Sequence, residues 1–335
     1  MAERISLAHG DGGELAHRLI ADVFVRAFGH TEEARFDAAL CSVPSGKIAV
    51  TTDSFVVKPA FFPGGNIGKL AVAGTVNDLA VSGAVPLYLT AGFMIEEGFK
   101  IKDLKEIVQT MAAEAEKANV RIIAGDTKVV EKGSIDGIYI NTTGVGYYAD
   151  GKLPVNPAEM EPGDAIIVNG TIGDHGVAVL AARGELGITT ELPSDCASLN
   201  GLIQSVLSET DGVRIMRDPT RGGLATTLVE IAEDFKATLE IEEELVPVRP
   251  EVQGACDILG YDPLYLANEG KVIFIVKKGE EERVLQLLRK HELGKNAAVI
   301  GRVANREKGQ LHLRTALGST RRLHRLSGMM LPRIC

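Results

Sequence analysis

The chain has 335 residues, enough for about two domains. Hydrophobic residues make up 45% and charged residues 24%, as in a globular protein, and a net charge of −9 excludes a nucleic-acid binder held by a basic surface. No run approaches the roughly 18 apolar residues that a membrane span needs, and the opening MAERISLAHGDGG lacks the apolar core of a signal peptide, so the expected location is the cytoplasm.

In chain order, Gly10-Asp11-Gly12-Gly13 comes first. It fits a phosphate-covering loop, because glycine lets N–H groups approach an anion, and it fits an ordinary turn equally well. The run 47–53 predicts a strand closed by an acid, and 66–82 a buried helix with small residues on its packing face. Strands are predicted at 86–95, 121–126 and 138–148, with an amphipathic helix at 103–118. The Pro-, Gly- and acid-rich stretch 149–164 predicts the domain boundary. Beyond it the pattern predicts strands at 165–170, 271–276 and 297–303, and helices near 173–183, 221–235 and 280–291. The last fifteen or so residues read as a tail.

The acids carry the strongest chemical signal. Asp37, Asp53, Asp78, Asp126 and Asp218 stand at strand ends, at turns or in a helix. Hard divalent cations take carboxylate oxygens, and magnesium shares its shell with phosphate and water. Taken singly, most of these acids also fit a cap or turn. Asp78 does not, because a carboxylate inside an apolar helix is costly without a compensating cation or hydrogen bonds. Lys128 falls on the same strand face as Asp126, either to neutralise a phosphate or to pair with that acid. Glu269, before a hydrophobic strand, fits a general base or a solvated turn. No P-loop or G-x-G-x-x-G pattern is present, so any nucleotide is held in another way. His175 reads as structural, and His9, His17 and His30 as surface residues.

Four cysteines, Cys41, Cys196, Cys256 and Cys335, show no C-x-x-C pairing. The first three are expected to pack as small hydrophobes. Cys335 sits on a short arm stiffened by Pro332, where a frayed end and a swinging nucleophile are both open readings.

Taken together, TTDSFVVKPAFFPGGNIGKLAVAGTVNDLA, GDTKVV, NGTIGDHG, SDCASLNG, RDPTRGGLATTLVEIAE, LANEGK and LPRIC resemble the HypE family of hydrogenase maturation proteins over nearly the whole chain. That family belongs to an ATP-binding group with aminoimidazole ribonucleotide synthetase, selenophosphate synthetase and thiamine-monophosphate kinase. The resemblance implies a mixed α/β and α+β, two-domain aminoimidazole ribonucleotide synthetase-like fold. An N-terminal ATP-binding and dimerisation domain (1–150) would form a β-barrel between subunits. A C-terminal α+β domain (151–318) and a tail (319–335) carrying Cys335 would follow.

The resemblance also implies a reaction. A carbamoyltransferase, HypF, loads a carbamoyl group on Cys335, and ATP with Mg2+ drives its dehydration to a thiocyanate. The cyano group then passes to iron on a HypC–HypD scaffold, for a [NiFe] hydrogenase centre. By motif, Asp37, Asp53, Asp78 and Asp218 would take metal or phosphate roles. Asp126 and Lys128 would lie near the reacting phosphate, Gly12, Gly13, Gly65 and Asn66 near ATP, and Glu269 would be the base. The chain departs from the family at Phe36-Asp37, where relatives often have two acids, and at Asp11, where glycine is more usual. A small-molecule kinase or synthetase of the same group is the rival enzyme, and an adaptor working through its tail is the non-enzymatic rival. A selenium enzyme would need a reactive residue near the start, whereas the first cysteine is Cys41.

Overall fold

The computed structural model describes residues 4–29, 38–39, 41–148, 155, 157–184, 187 and 190–326. Asp37 and Cys335 therefore lie outside the described residues. Helices α1 (Glu14–Leu19) and α2 (Arg26–Phe28) flank a π-helical turn. Then come β1 (Lys47–Phe55), the short β2 (Phe61–Phe62) and β3 (Gly65–Asn66), α3 (Ile67–Val81), β4 (Val85–Glu96), α4 (Ile101–Lys117), β5 (Arg121–Val130) and β6 (Ile138–Tyr148). The second half holds β7 (Ala165–Val168), α5 (Asp174–Arg183), α6 (Asn200–Leu207), β8 (Val213–Arg217), α7 (Gly223–Asp234), β9 (Thr238–Glu242) and α8 (Pro250–Leu259). It ends with β10 (Ile273–Val276), α9 (Glu281–Lys290), β11 (Ala298–Asn305), β12 (Gln310–Arg314) and β13 (Thr320–Leu323).

The first sheet has the order β1-β6-β4-β5, with only the β4–β5 pair parallel. Helix α3 lies across β1 and β6. Its apolar residues fall on every side, and a helix of that kind must be enclosed; Ile67, Leu70, Val72 and Val76 are fully buried. Asn66 starts it, its Oδ1 accepting from the N–H groups of Gly68 (2.9 Å) and Lys69 (3.2 Å). The stripe Leu104, Ile107, Val108 and Met111 buries α4 as its spacing predicts. Along β1 the side chains alternate: Phe55 enters the core beside α3, while Ile48 and Val50 are 56% and 66% exposed. Among the described residues the sheet does not close on itself, and β1 and β5 are its edges.

The second sheet runs β13-β12-β9-β11-β7-β10-β8. Strands β7 and β10 are buried at every residue because helices cover both faces. Ile166, Val168, Ile273 and Ile275 join the α7 core, whereas Ala165, Ile167, Phe274 and Val276 join that of α6 and α9.

Three expectations change. The segment from 319, expected as tail, first adds β13 to the sheet edge, pairing antiparallel with β12. Only Leu323 of β13 is buried, so its sequence has no alternation to betray it. Cys41 is exposed rather than packed. His9, expected at the surface, is buried, with its Nδ1 2.9 Å from Ser6 Oγ.

Candidate active site

A cleft of about 800 Å³ opens between edge strand β1, helix α3 and the turn joining β8 to α7. Asp53, Asp78, Asp218 and Glu269 all line it. Each arrives on a different element. Asp53 comes from β1, its Oδ1 accepting from Ser54 N–H (2.8 Å) and from Arg221 Nη2 (3.1 Å). Asp78 comes from α3, where Thr51 Oγ1 donates to its Oδ2 at 3.0 Å. Asp218 opens the turn Asp218-Pro219-Thr220-Arg221-Gly222-Gly223. Gly222 and Gly223 have φ of +72° and +64°, a region that disfavours side chains. A Cβ on Gly223 would also collide with the Leu264 and Leu266 carbonyls, so glycine lets α7 begin against the segment leading to Glu269.

Two asparagines join these acids. Asn77, next to Asp78, donates through Nδ2 to the carbonyls of Ala197 (3.0 Å) and Glu269 (3.4 Å), and its Oδ1 accepts from Leu199 N–H (2.7 Å). Asn268, next to Glu269, donates to the carbonyl of Pro219 (3.0 Å), the residue after Asp218, and its Oδ1 accepts from Gly173 N–H (2.7 Å). Neither is among the residues that the sequence singles out. Their signal is the one that marks Asp78: a polar side chain inside an apolar stretch must find partners.

The electrostatics are one-sided. Asp53, Asp78, Asp218, Glu230 and Glu269 line the cleft against the cations of Arg217 and Arg221. Burial, followed by the Asp78 charge, pushes Asp218 up to about 6. Burial and the neighbouring Asp53 raise Asp78, against the pull of the Thr51 hydrogen bond. Glu269 is 4% exposed, and burial, then Asp218 and Asp195, raise its carboxyl well above the usual range. Acids raised in this way accept a positively charged ligand at a gain, and a polyphosphate would enter such a cleft only with cations. Among the described residues no three acids, histidines or cysteines converge into a cage for a metal. The donor set therefore fits a hard cation shared with phosphate oxygens, for which one or two carboxylates suffice.

The other predicted residues lie elsewhere in the chain. Asp126 and Lys128 stand exposed on edge strand β5, Nζ to Oδ2 3.7 Å apart, and do not line the cleft. The Gly10–Gly13 loop abuts that strand at Val129. Gly12 is open, and Gly13 N–H donates to Asp11 Oδ1 at 3.3 Å, an ordinary turn bond. Asn66, expected beside ATP, caps α3 through Oδ1 and donates through Nδ2 to Thr110 Oγ1 (2.9 Å). Gly65 precedes it in β3. His175 is fully buried with Nδ1 2.8 Å from Ser194 Oγ, the structural role expected of it.

The family pattern described as AIR synthase related protein, N-terminal domain, matches residues 36–148, and that of the C-terminal domain matches 161–314. Over 336 residues the chain is 49% identical to the carbamoyl dehydratase HypE of Rhodobacter capsulatus, covering 99% of this chain and 98% of that protein. This chain belongs to the HypE family. The HypE of Escherichia coli (strain K12) is 44% identical over 341 residues, 99% of each chain. A crystal structure of HypE in complex with ATP superposes with a TM-score of 0.92 at 44% identity, covering 98% of this chain and 99% of that one. HypE in a HypE–HypF complex gives 0.80 at 47% identity, over 94% and 100% of the two chains. A thiamine-monophosphate kinase from Stenotrophomonas maltophilia, at 18% identity and a TM-score of 0.64, shares the fold alone. The two-domain AIR synthase-like fold implied by the sequence is thus the fold of this chain.

Proposed function

We propose that this protein is an ATP-dependent carbamoyl dehydratase, which converts a carbamoyl group on the thiol of its own Cys335 into a thiocyanate. The observation that carries the reading is a buried carboxyl, Glu269, set among Asp53, Asp78 and Asp218 beside the point where the chain's last described residues arrive. Leu326 N–H donates to Thr226 Oγ1 at 3.4 Å, and the adjacent Thr227 lines the cleft. Cys335 follows nine residues later, and nine residues reach at most about 30 Å.

The chemistry suits the groups. The carbamoyl oxygen attacks the γ-phosphorus of ATP while the nitrogen gives up its first proton to solvent, ADP leaves, and the oxygen that was a poor leaving group becomes part of a phosphate. Loss of that phosphate and of the remaining nitrogen-bound proton leaves S–C≡N. Glu269 is the acceptor of the nitrogen proton. Mg2+ would supply positive charge against the phosphates, with one or two carboxylates at each ion drawn from Asp53, Asp78, Asp218 and Asp37. Lys128 is the phosphate-neutralising cation, with Asp126 beside it, and the Gly12–Gly13 and Gly65 backbones cover the nucleotide. Because Lys128 stands on the β5 edge, it serves the cleft of a second copy. The uncovered apolar face at Ile48 and Val50 supports a homodimer whose two sheets meet there.

HypF is the carbamoyltransferase that loads Cys335, a partnership supported by the relative solved with HypF, and a HypC–HypD scaffold receives the cyano group. The working division is an N-terminal domain over 1–150, a C-terminal domain over 151–318 and a reactive arm beyond. The place of work is the cytoplasm, and among the described residues no helix is long and apolar enough to cross a membrane. Intact mass spectrometry after carbamoylation tests the reading. A Cys335 adduct that loses one water only with Mg-ATP is expected; an adduct that ATP never dehydrates returns the protein to the kinase reading.

A further inference from the structure

The segment that presents Glu269 is a partition. Glu269 lines the acidic cleft, while Gly270, Lys271 and Asp195 line a second cavity of about 780 Å³. Asp195 meets the back of the partition with both carboxylate oxygens: Oδ1 accepts from Glu269 N–H (3.2 Å) and Oδ2 from Gly270 N–H (3.1 Å). Lys271 Nζ stands 3.0 Å from the same Oδ2, and the two side chains are 10% and 3% exposed. A Cβ on Gly270 would overlap the Asp195 carbonyl, so only glycine lets the two strands of chain cross here.

We propose that Asp195, anchored by Lys271, is the positioning residue for Glu269. The inference rests on the reading of Glu269 as the base. The Glu269 backbone is held at both ends, its carbonyl accepting from Ala197 N–H (3.3 Å) and from Asn77 Nδ2. What remains free is the side chain, aimed into the cleft. Stability alone does not call for a carboxylate at 195. A buried ion pair is often no better than an apolar pair, and this charge makes ionisation of its neighbour Glu269 harder. A carboxylate does what an amide cannot: it accepts from two successive N–H groups while also facing an ammonium. Burial opposes the Asp195 charge, yet Lys271, His175 and the Glu269 N–H outweigh it and hold the carboxyl below its usual range.

The test is single-turnover dehydration of the carbamoylated protein, followed by intact mass. Asp195→Asn is expected to slow dehydration about 10- to 100-fold, since small misplacements of a reacting group cost that much, with the KM for ATP unchanged. Asp195→Asn/Lys271→Met removes the unpaired ammonium and is expected to melt near the parent while staying slow. Parent-like rates in a folded variant overturn the proposal, as does a loss that lies in the KM for ATP. Glu269→Gln runs alongside. If it is inactive while Asp195→Asn is fully active, positioning alone falls; if it is fully active, the base assignment falls and positioning with it.

Discussion

Asp218 shows what it costs to bury one carboxyl beside another. Its carboxyl is pushed from 3.8 to about 6 by burial and then by Asp78. A raised carboxyl binds its proton more tightly in the folded state than in the unfolded one. Stability from this group is therefore full below the unfolded value and declines as pH rises through the window between the two. Above the folded value the whole cost remains, a shift of roughly two units or about 3 kcal/mol at most. Asp218→Asn keeps the shape and removes the charge. In chelator, urea unfolding at about pH 7.5 is expected to find the variant about 1–3 kcal/mol more stable than the parent, and at about pH 4 the two should coincide. The same variant should bind Mg-ATP more weakly. An equal difference at both pH values would show that the charge is not what strains the site.

At the scale of elements, α3 joins fold and site through one residue pair. Asn77 is 2% exposed and makes all three of its bonds across to the 197–199 and 269 segments, while Asp78 turns to the cleft. Asn77→Leu fills the same volume but leaves the Ala197 carbonyl and the Leu199 N–H without that partner, and the Glu269 carbonyl with Ala197 N–H alone, at about 1–3 kcal/mol for the worst of them. A loss of about 2–4 kcal/mol in urea unfolding is expected, with slower dehydration because the Glu269 carbonyl loses one of its two donors. A change below about 0.5 kcal/mol would mean that water replaces the amide without penalty. Helix α3 was legible because its apolar run has no polar face, and α4 because Leu104, Ile107, Val108 and Met111 recur at helical spacing. Strand β13 was not, since Thr320-Arg321-Arg322-Leu323 buries one side chain. In the site, the acids stood out in sequence one at a time. Their convergence on one cleft did not, because β1, α3, the β8–α7 turn and the 269 segment must meet across long stretches of chain, 192 residues in the case of the Asn77–Glu269 bond.

On the scale of the whole molecule, the described charged residues among those predicted divide between two places: Asp53, Asp78, Asp218 and Glu269 in the cleft along β1, Asp126 and Lys128 on β5. These strands are opposite edges of one four-stranded sheet. A two-fold pair of such sheets, meeting at the Ile48 and Val50 face, closes into a barrel if β1 of each copy meets β5 of the other. That arrangement carries Lys128 of one copy to the cleft of its neighbour. It predicts complementation. Lys128→Ala and Glu269→Gln each should abolish dehydration as homodimers. A heterodimer of the two, isolated by separate tags, contains one cleft with both native residues and one with neither. About half of the parent rate per dimer is then expected, because an isologous pair makes two equivalent sites. If Lys128 instead serves its own chain, both clefts of the heterodimer are defective and no rate returns. That outcome would assign each cleft to a single chain and leave the barrel as a purely structural contact.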